Sequence, residues 1–492
     1  MKIDTSVKNK SIKSNLLFSV LIKLVTYLIP LVTAPYISRV LGPEGVGTYS
    51  YANSIVSYFA LLVNFGFIGY GTQRISANRS DKKVYSGYFW SIVIMRGILL
   101  TISVSAYFVL LFFILNVQDQ IYIYLILSVT IFTNFFDITY LFQGLENFKI
   151  ISLTNCFVRV FAAICQFVFV RGKDDLILYV IIQTLQLLFI SLLPWIFAKG
   201  AIAKPEKKYI KIKDTFKTSL FYFLPTLAVT LCSLIDNTML GAIQGSKEVA
   251  YYEQANKIII MVLGVLHAFA PVFFARITIL IKTDKEKEVK DKILSMFSLY
   301  FIIGFPAIFG LYGISNYFIP AFFGEQFLPS IAVIYFLTPL ILIKSMSNAL
   351  GNVYYGPRDI IWMTSIFYAI GSVINISLNS ILITFEGAKG AAIASLISES
   401  IVTLLFVYFS RSKIPYLSAL KCLVKPVLAS VIMYFVMILC NQFVLNNLNV
   451  ILVSAADCII GVMVYFISII LLREKFVLLE LNKIKKKFFK SH

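Results

Sequence analysis

The stretch Leu176–Phe197 reads LILYVIIQTLQLLFISLLPWIF and contains no charged residue in 22 positions. At about 1.5 Å of rise per residue, a helix of about 20 residues crosses the roughly 30 Å hydrocarbon core of a bilayer. The stretch lacks the polar–apolar alternation that a membrane-spanning β-strand requires. Because an open sheet would leave main-chain groups unpaired in lipid, the pattern predicts a transmembrane helix.

Similar apolar runs follow one another along all 492 residues. The chain is 59% hydrophobic and 14% charged, with a mean hydropathy of +0.85, so it has too few charged side chains to coat soluble domains. We therefore predict an all-α polytopic membrane protein with about 14 transmembrane helices. The predicted spans are 16–38, 46–70, 88–115, 121–141, 151–170, 176–197, 218–241, 250–275, 293–316, 329–351, 360–383, 389–410, 423–443 and 450–472. The first run is too long for a signal-peptide core, so we expect an uncleaved first helix.

Basic residues are concentrated in every second loop between these runs. The chain has 44 Lys and Arg against 24 Asp and Glu, a formal net charge of +20. About 34 of the basic residues lie in loops on the side of the N-terminus and about 5 in the intervening loops, the asymmetry that marks the cytoplasmic side. We therefore expect both termini to be cytoplasmic and no nucleic-acid partner, because the positive charge follows the topology.

Two pairs of segments resemble each other six spans apart. Tyr49–Ile55 (YSYANSI) and Tyr252–Ile258 (YEQANKI) share Tyr, Ala, Asn and Ile at matching positions. Gln143–Glu146 and Tyr355–Arg358 form a weaker pair. We predict two pseudo-repeated six-helix lobes plus two C-terminal helices, because repeated halves suit alternating access. The predicted divisions are an N-terminal lobe 1–205, a C-terminal lobe 206–415, and 416–492 with helices 13 and 14 and a basic tail.

Polar side chains inside the spans recur at helical spacing, which places them on one face of each helix. Such stripes can form hydrogen bonds between helices, each contributing about 0.6 kcal/mol. Their presence on helices of both predicted lobes favours a shared hydrated cavity instead. The candidate polar residues of this cavity are Asn53, Asn64, Asn155 and Asn375.

Charged residues also stand within the apolar runs, at a cost of about 2.5–3.5 kcal/mol each at mid-bilayer on insertion scales. The cations Lys23, Arg159 and Lys257 are candidate ligands for an anionic substrate, because Lys and Arg suit phosphate or pyrophosphate. The alternative is that these charges form internal salt bridges or reach the membrane surface. The candidate acids for ion coupling are Asp137, Asp236 and Glu399.

Signatures of common enzymes are missing from the sequence. The two histidines, His267 and His492, do not support a histidine-dependent triad or an HExxH zinc site. No P-loop occurs, and the glycines of Gly42–Gly47 follow a helix rather than a strand, so they predict a tight turn. The six cysteines show no paired spacing. We expect no enzymatic activity, no cofactor and no metal site.

The turn between the first two spans carries a family resemblance. Ser38–Tyr49 (SRVLGPEGVGTY) is similar to the signature of bacterial oligosaccharide flippases of the polysaccharide-biosynthesis family. That family belongs to the multidrug/oligosaccharidyl-lipid/polysaccharide exporter superfamily. Further similar segments are Asn64–Phe67 with Gly71–Ile75, Phe142–Glu146, and Asp236 with Tyr252–Ile258. The resemblance implies fourteen helices in two lobes, and Arg39 and Arg74 match its motif positions. We add Arg39 to the candidate substrate-binding cations.

The resemblance implies translocation of an undecaprenyl-diphosphate-linked oligosaccharide from the cytoplasmic to the outer leaflet of a bacterial plasma membrane, without ATP. The product would enter surface polysaccharide synthesis, such as lipopolysaccharide or capsule, with a membrane polysaccharide polymerase as a candidate partner. One alternative is a drug/cation antiporter of the same superfamily, which would have a carboxylate-lined cavity and about twelve spans. Another is a membrane-embedded sugar polymerase or ligase, which would need a long outer loop.

Overall fold

The computed structural model describes residues 12–114, 120–358, 360–443, 449–474 and 477. Regular structure in these ranges is entirely helical. The helices are α1 (Ile12–Asn64), α2 (Phe67–Ala77), α3 (Lys82–Val109), α4 (Ile121–Phe136), α5 (Thr139–Gly144), α6 (Phe148–Phe169), α7 (Leu176–Ala198), α8 (Ile212–Ile243), α9 (Ser246–His267), α10 (Ala270–Lys282), α11 (Glu286–Phe323), α12 (Ser330–Leu337), α13 (Leu340–Asn348), α14 (Ile361–Ser410), α15 (Tyr416–Phe443) and α16 (Val450–Leu471). π-helical turns extend α3 (Leu110–Ile114) and α13 (Ala349–Tyr355). The prediction of an all-α protein is confirmed for this part of the chain.

Eleven of the described stretches are long and apolar enough to cross a membrane. Two of them, Leu28–Ala77 and Trp362–Ser410, contain 50 and 49 residues, more than twice the length that one crossing needs. Each contains a glycine with non-helical geometry: Gly42 has φ 67° and ψ −179°, and Gly387 has φ 53° and ψ −130°. Positive φ is readily accessible to glycine because it has no Cβ, so both long helices kink where a glycine stands.

Some predicted spans end elsewhere in the structure. The predicted span 46–70 is interrupted at Phe65 and Gly66, whose φ values are 40° and 71°. The predicted span 121–141 ends at Phe136, and the chain leaves the helix before α5 begins at Thr139. Both breaks lie inside runs that are apolar on average, with Asn64 and Asp137 directly beside them, so mean hydropathy did not locate them. Local side-chain contacts, described below, support the second break.

Contacts divide the chain into two compact units, Met1–Ala250 and Tyr251–His492. In the first unit, α1 packs against α3, α4, α6 and α8, while α8 also contacts α2 and α3. Buried aromatic side chains such as Phe67, Tyr70 and Phe89 fill one apolar cluster of this unit. Helix α8 therefore lies in the first unit, whereas the predicted boundary at 205/206 assigned it to the second lobe. The three-part division stays a prediction.

In the second unit, α11 is the central packing element. It contacts α10, α12, α13, α15 and α16. Helix α14 packs against α12 and α13, and α15 packs against α16. Large side chains of α11, including Phe297, Tyr300 and Phe323, are fully buried. The two C-terminal helices are thus joined to this unit through α11.

The two loop segments that the sequence analysis paired, Gln143–Glu146 and Tyr355–Arg358, each hold an ion pair. Glu146 contacts Arg79, just before α3, at 2.6 Å. Arg358 contacts both carboxylate oxygens of Glu286, at the start of α11, at 2.7 and 2.8 Å. The loop segment supplies the acid, Glu146, in the first unit and the base, Arg358, in the second. The corresponding contacts therefore use residues of opposite charge in the two units.

Candidate functional site

Arg159 is a partly buried cation in the membrane helix α6, which packs against α1 and α7. Its Nε is buried and has no hydrogen-bond partner. Within the described part of the chain, no carboxylate forms an ion pair with its guanidinium. Its positive charge is therefore balanced by no described acid.

The neighbouring polar groups of α6 leave hydrogen-bonding capacity beside Arg159. Asn155, one turn before it, donates from Nδ2 to the Ile151 carbonyl at 3.0 Å, within its own helix. Gln166, two turns after it, is 3% exposed, and its Oε1 has no partner. A guanidinium and an amide with open positions on one helix can bind an anion or ordered water. This stretch of α6 is the candidate binding surface.

The other predicted substrate-binding cations have different environments. Arg39 is exposed and lies three residues before the kink at Gly42. Lys257 belongs to the second unit and lies 4.0 Å from Glu253, one turn earlier on α9. Lys23 lies in α1, but its side chain is outside the described residues. Lys257 and Arg159 therefore belong to different units, and the shared role of the four cations stays a prediction.

Arg96 of α3, which was not among the predicted site residues, is 1% exposed and supports the end of α4. Its Nη1 donates to the Asp137 carbonyl, where α4 stops. Trp195 of α7 donates from Nε1 to the adjacent Phe136 carbonyl at 2.6 Å. The two donors satisfy main-chain acceptors that the helix break would otherwise leave unpaired in the membrane. A buried charge can thus be required by main-chain geometry, a reason that no sequence motif signals.

Asp137 takes part in the same break. Its Oδ1 accepts hydrogen bonds from the main-chain N–H of Thr139, at 2.9 Å, and from the Thr139 hydroxyl. These contacts give Asp137 a local role at the start of α5. Its predicted role in ion coupling stays a prediction.

Polar groups also line the contact between the second half of α1 and α8. The Ser54 and Tyr58 hydroxyls each lie 3.1 Å from the hydroxyl of Thr238. Asp236, two residues earlier on α8, is 3% exposed. Of the predicted cavity residues on α1, Asn53 is partly buried, and Asn64 has a buried Oδ1 without a partner. This contact joins α1 to α8 through Ser54, the neighbour of Asn53, and through Tyr58.

The contact between α1 and α8 closes tightly near Gly42. Thr48 donates to the Ser246 hydroxyl at 3.2 Å, and Lys247 lies 3.3 Å from Glu44. A Cβ placed on Gly47 would lie 1.7 Å from the Ser246 carbonyl oxygen, so only glycine permits this approach. We call the contact of residues 44–51 with 241–247 the glycine contact. It leaves no space for a ligand to pass between these segments.

Asn375 belongs to a buried polar network in the second unit. Its Nδ2 donates to the Ser395 hydroxyl at 3.4 Å, and its Oδ1 accepts from Asn379 Nδ2 at 3.1 Å. The Tyr252 hydroxyl lies 3.3 Å from the same Ser395 hydroxyl. The network links the start of α9 to both sides of the Gly387 kink in α14. These polar residues form hydrogen bonds between helices, which is the alternative role considered for the polar stripes.

Glu399 of α14 is paired with a cation. Its Oε1 lies 3.3 Å from Lys344 Nζ of α13, with side-chain exposures of 13% for Glu399 and 31% for Lys344. Its Oε2 is buried without a hydrogen-bond partner. The geometry fits an internal salt bridge, and the predicted ion-coupling role of Glu399 stays a prediction.

Apolar helices with charged and polar groups in their interior define a polytopic membrane protein. The family described as "Polysaccharide biosynthesis protein" matches residues 12–278, more than half of the chain, and the chain belongs to this family. It is similar to the "Putative O-antigen transporter" of Escherichia coli (strain K12), with 24% identity over 404 residues, 82% of this chain and 97% of the relative. In keeping with these relatives, it is a membrane transport protein and not an enzyme.

Solved structures share the fold. "Lipid II flippase MurJ, inward closed conformation" matches with a TM-score of 0.72 and 18% identity, covering 92% of this chain and 97% of that one. An inward-facing multidrug resistance MATE family transporter of the MOP superfamily matches with a TM-score of 0.58 and 14% identity, covering 82% of this chain and 99% of that one. The fold is therefore that of the MOP superfamily transporters.

We expect Glu399→Gln to destabilise the protein because it removes the carboxylate that pairs with Lys344. Losing one partner of a buried pair costs about 3–5 kcal/mol, and the partial exposure of Lys344 reduces our expectation to about 1–3 kcal/mol. The double variant Lys344→Met with Glu399→Gln should recover much of this loss. Thermal unfolding of the single and double variants in detergent measures both effects.

The exposed pair Lys389–Glu386, at 2.8 Å, is the matched control. Its neutralisation should change stability by less than about 1 kcal/mol. If Glu399 instead binds a coupling ion, Glu399→Gln will leave stability unchanged and alter the response of transport to an ion gradient. That result would contradict the structural interpretation of this pair.

Proposed function

We propose that the protein moves an undecaprenyl-diphosphate-linked oligosaccharide from the cytoplasmic to the outer leaflet of a bacterial plasma membrane, for surface polysaccharide synthesis. The step uses alternating access and no ATP. A membrane polysaccharide polymerase is the partner that would take up the flipped unit. The names of the curated relatives and of the flippase with the same fold support this substrate class.

The observation that carries the proposal is the state of Arg159. A guanidinium in a membrane helix, without an ion pair among the described residues, is costly unless a ligand or water compensates it. Its fork geometry can donate two parallel hydrogen bonds to the oxygens of a phosphate group. A diphosphate-linked lipid supplies such oxygens, whereas the cationic substrate of a drug antiporter would be repelled.

We further propose fourteen spans with both termini in the cytoplasm. The kinks at Gly42 and Gly387 would each divide one long helix into two crossings, which raises the eleven candidate stretches to thirteen. Helix α8, with 32 residues, would be the fourteenth. The excess of Lys and Arg in every second loop supports the orientation.

The glycine contact is the feature that supports alternating access. It holds the second half of α1 against the end of α8 and the start of α9, next to the Gly42 kink, which faces outward in the proposed topology. A bulky head group cannot pass while Gly47 lies against the Ser246 carbonyl. Release to the outer leaflet therefore requires this contact to open.

The energy source in this proposal is an ion gradient or the membrane potential. The chain contains no P-loop. A unit charge moving through 100 mV provides about 2.3 kcal/mol, enough to bias a transport cycle. Asp137, Asp236 and Glu399 remain the proposed coupling acids within the family interpretation.

The proposed topology predicts the accessibility of two exposed lysines. In a cysteine-free background, Lys173→Cys should react with a membrane-impermeant maleimide on intact cells, because residue 173 lies in a proposed outer loop. Lys285→Cys, in a proposed cytoplasmic loop, should react only after permeabilisation. Labelling of Lys285→Cys on intact cells would refute the orientation.

The proposed phosphate contact predicts a graded effect at Arg159. Arg159→Lys should slow flipping of a fluorescent lipid-diphosphate oligosaccharide in proteoliposomes about tenfold, because a forked contact becomes a point contact. Arg159→Gln should slow it further, since the charge is also lost. Lys149→Gln, which removes an exposed charge from the same helix, is the control and should leave flipping unchanged.

Thermal stability of these variants separates binding from structure. A purely structural Arg159 would lose stability and flipping in parallel, whereas the binding role predicts lost flipping with a preserved melting temperature. Normal flipping by Arg159→Gln would exclude the binding role. Transport of cationic drugs by the unmodified protein, without flipping of the lipid, would favour the antiporter alternative.

The opening of the glycine contact can be tested by cross-linking. The hydroxyls of Thr48 and Ser246 are 3.2 Å apart, so cysteines introduced at both positions should form a disulfide on oxidation. The cross-link should stop flipping, and reduction should restore it. The control pair Ser57→Cys with Ser246→Cys should remain reduced, because Ser57 lies about 13 Å further along the helix. Undiminished flipping by the fully cross-linked protein would contradict alternating access at this contact.

A further inference from the structure

A cavity of about 430 Å³ lies within the second unit, between α11, α15 and α16. Helix α11 lines it with residues such as Pro306 and Gly310, and α15 lines it with Met433 and Met437. Most of the lining is aliphatic, aromatic or thioether. Helix α16 contributes a carboxylate, Asp457, to this apolar surface.

Asp457 is fully buried and shares a hydrogen bond with a single neighbour. Its Oδ2 accepts from Asn441 Nδ2 of α15 at 3.0 Å, and its Oδ1 has no partner. Asn441 is itself 7% exposed, and its Oδ1 also has no partner. The pair therefore has three buried acceptor oxygens, two on Asp457 and one on Asn441. The one donor among these contacts is the Asn441 amide group. Buried acceptors of this kind are costly unless something donates to them.

No basic side chain faces Asp457 from the described lining of the cavity. On α16, the titratable neighbours are Cys458 and Tyr465, and the Tyr465 hydroxyl donates to the Ile302 carbonyl at 2.6 Å. Beyond the end of α16, the buried Glu474 accepts from the main-chain N–H of Val477 at 2.8 Å. Helix α15 carries Cys440 next to Asn441, and α11 and α9 contribute apolar residues to the lining. An ionised Asp457 would thus face neutral groups in the described lining, without a cation to balance it.

We propose that Asp457 and Asn441 form a proton-binding site. A proton on Oδ1 of Asp457 removes the uncompensated charge and supplies the donor that the buried oxygens lack. A metal cation fits less well, because hard cations such as Mg²⁺ and Ca²⁺ take about six or more oxygen ligands. Asp457 and Asn441 offer three oxygens between them, and the surrounding lining is apolar.

The proton remains bound while the cavity is closed to water and leaves when water enters and can solvate the carboxylate. Asp457 is separate from Asp137, Asp236 and Glu399, the acids considered above for ion coupling. A transport cycle that hydrates this cavity would therefore exchange one proton per turn. This last step rests on the proposed function, whereas the proton site does not.

The site can be tested on the purified full-length protein with dicyclohexylcarbodiimide, an apolar reagent that modifies protonated carboxyls within membranes. Mass spectrometry of the peptides should show modification of Asp457 at neutral pH, decreasing as the pH rises and unaffected by Na⁺. The exposed Asp284 should stay unmodified under the same conditions. Protection by Na⁺ would mean a cation site and would overturn the proposal.

Because a buried carboxyl could escape the reagent, stability provides the second measurement. Asp457→Asn keeps the shape of the side chain and imitates its neutral form. If the folded protein holds the proton and the unfolded chain releases it, the unmodified protein should become less stable than Asp457→Asn as the pH increases. Above the ordinary carboxyl range, the ratio of its unfolding equilibrium constant to that of Asp457→Asn should rise by up to tenfold per pH unit. A constant difference between pH 5 and 8, together with missing modification, would overturn the proposal.

The transport consequence is measured separately. In proteoliposomes, an imposed pH gradient should drive accumulation of the flipped lipid by the unmodified protein and by the neighbouring control Cys458→Ser. Asp457→Asn should lose this response. A protein that passes the modification and stability tests but flips no lipid-linked sugar would contradict the proposed function and leave the proton site intact. Equal gradient responses in Asp457→Asn and Cys458→Ser would overturn the coupling step.

Discussion

The main chain in hydrocarbon must satisfy its own hydrogen bonds, and this constraint governs the rest of the structure. Water cannot replace a missing partner there, so each stretch inside the membrane is helical or is supported where it leaves the helix. At the end of α4, Arg96 and Trp195 supply donors to the carbonyls of Asp137 and Phe136. The need for such a donor explains why a fully buried arginine stands in an apolar helix.

The charges within the membrane helices fall into three groups when they are sorted by their described partners. Lys344 with Glu399 and Lys257 with Glu253 are paired through their side chains. Arg96 and Asp137 serve a helix break. Arg159 and Asp457 have neither a counter-charge among the described residues nor a contact at a helix break, and in our proposals a ligand or a proton changes their state. One lies in the first unit and the other in the second, so anion binding and proton binding would use different parts of the chain.

Glycines provide the kinks and the close helix contact that are compatible with this constraint. At Gly42 and Gly387 the chain turns within a single residue, which keeps the helical hydrogen bonds on both sides. At Gly47 the missing side chain lets α1 approach the main chain of Ser246 closely. A contact made by close approach and a few hydrogen bonds can open without exposing a large apolar core. The signature turn near the N-terminus therefore combines a kink with a close contact between helices.

Hydropathy by itself determined that this chain is a bundle of membrane helices, because transfer into lipid depends on the composition of each segment separately. The family signature was likewise readable from contiguous residues. The breaks at Phe65–Gly66 and after Phe136 were not readable, since the polar residues beside them, Asn64 and Asp137, have counterparts such as Asn155 and Asp236 inside unbroken helices. Tertiary contacts decided which partner each charged group has. Glu399 pairs with Lys344 on a neighbouring helix, and Asp457 accepts a hydrogen bond from Asn441. Arg159 forms no ion pair with a described acid. Pairing depends on distances between residues far apart in the sequence, and these distances exist only once the helices have packed.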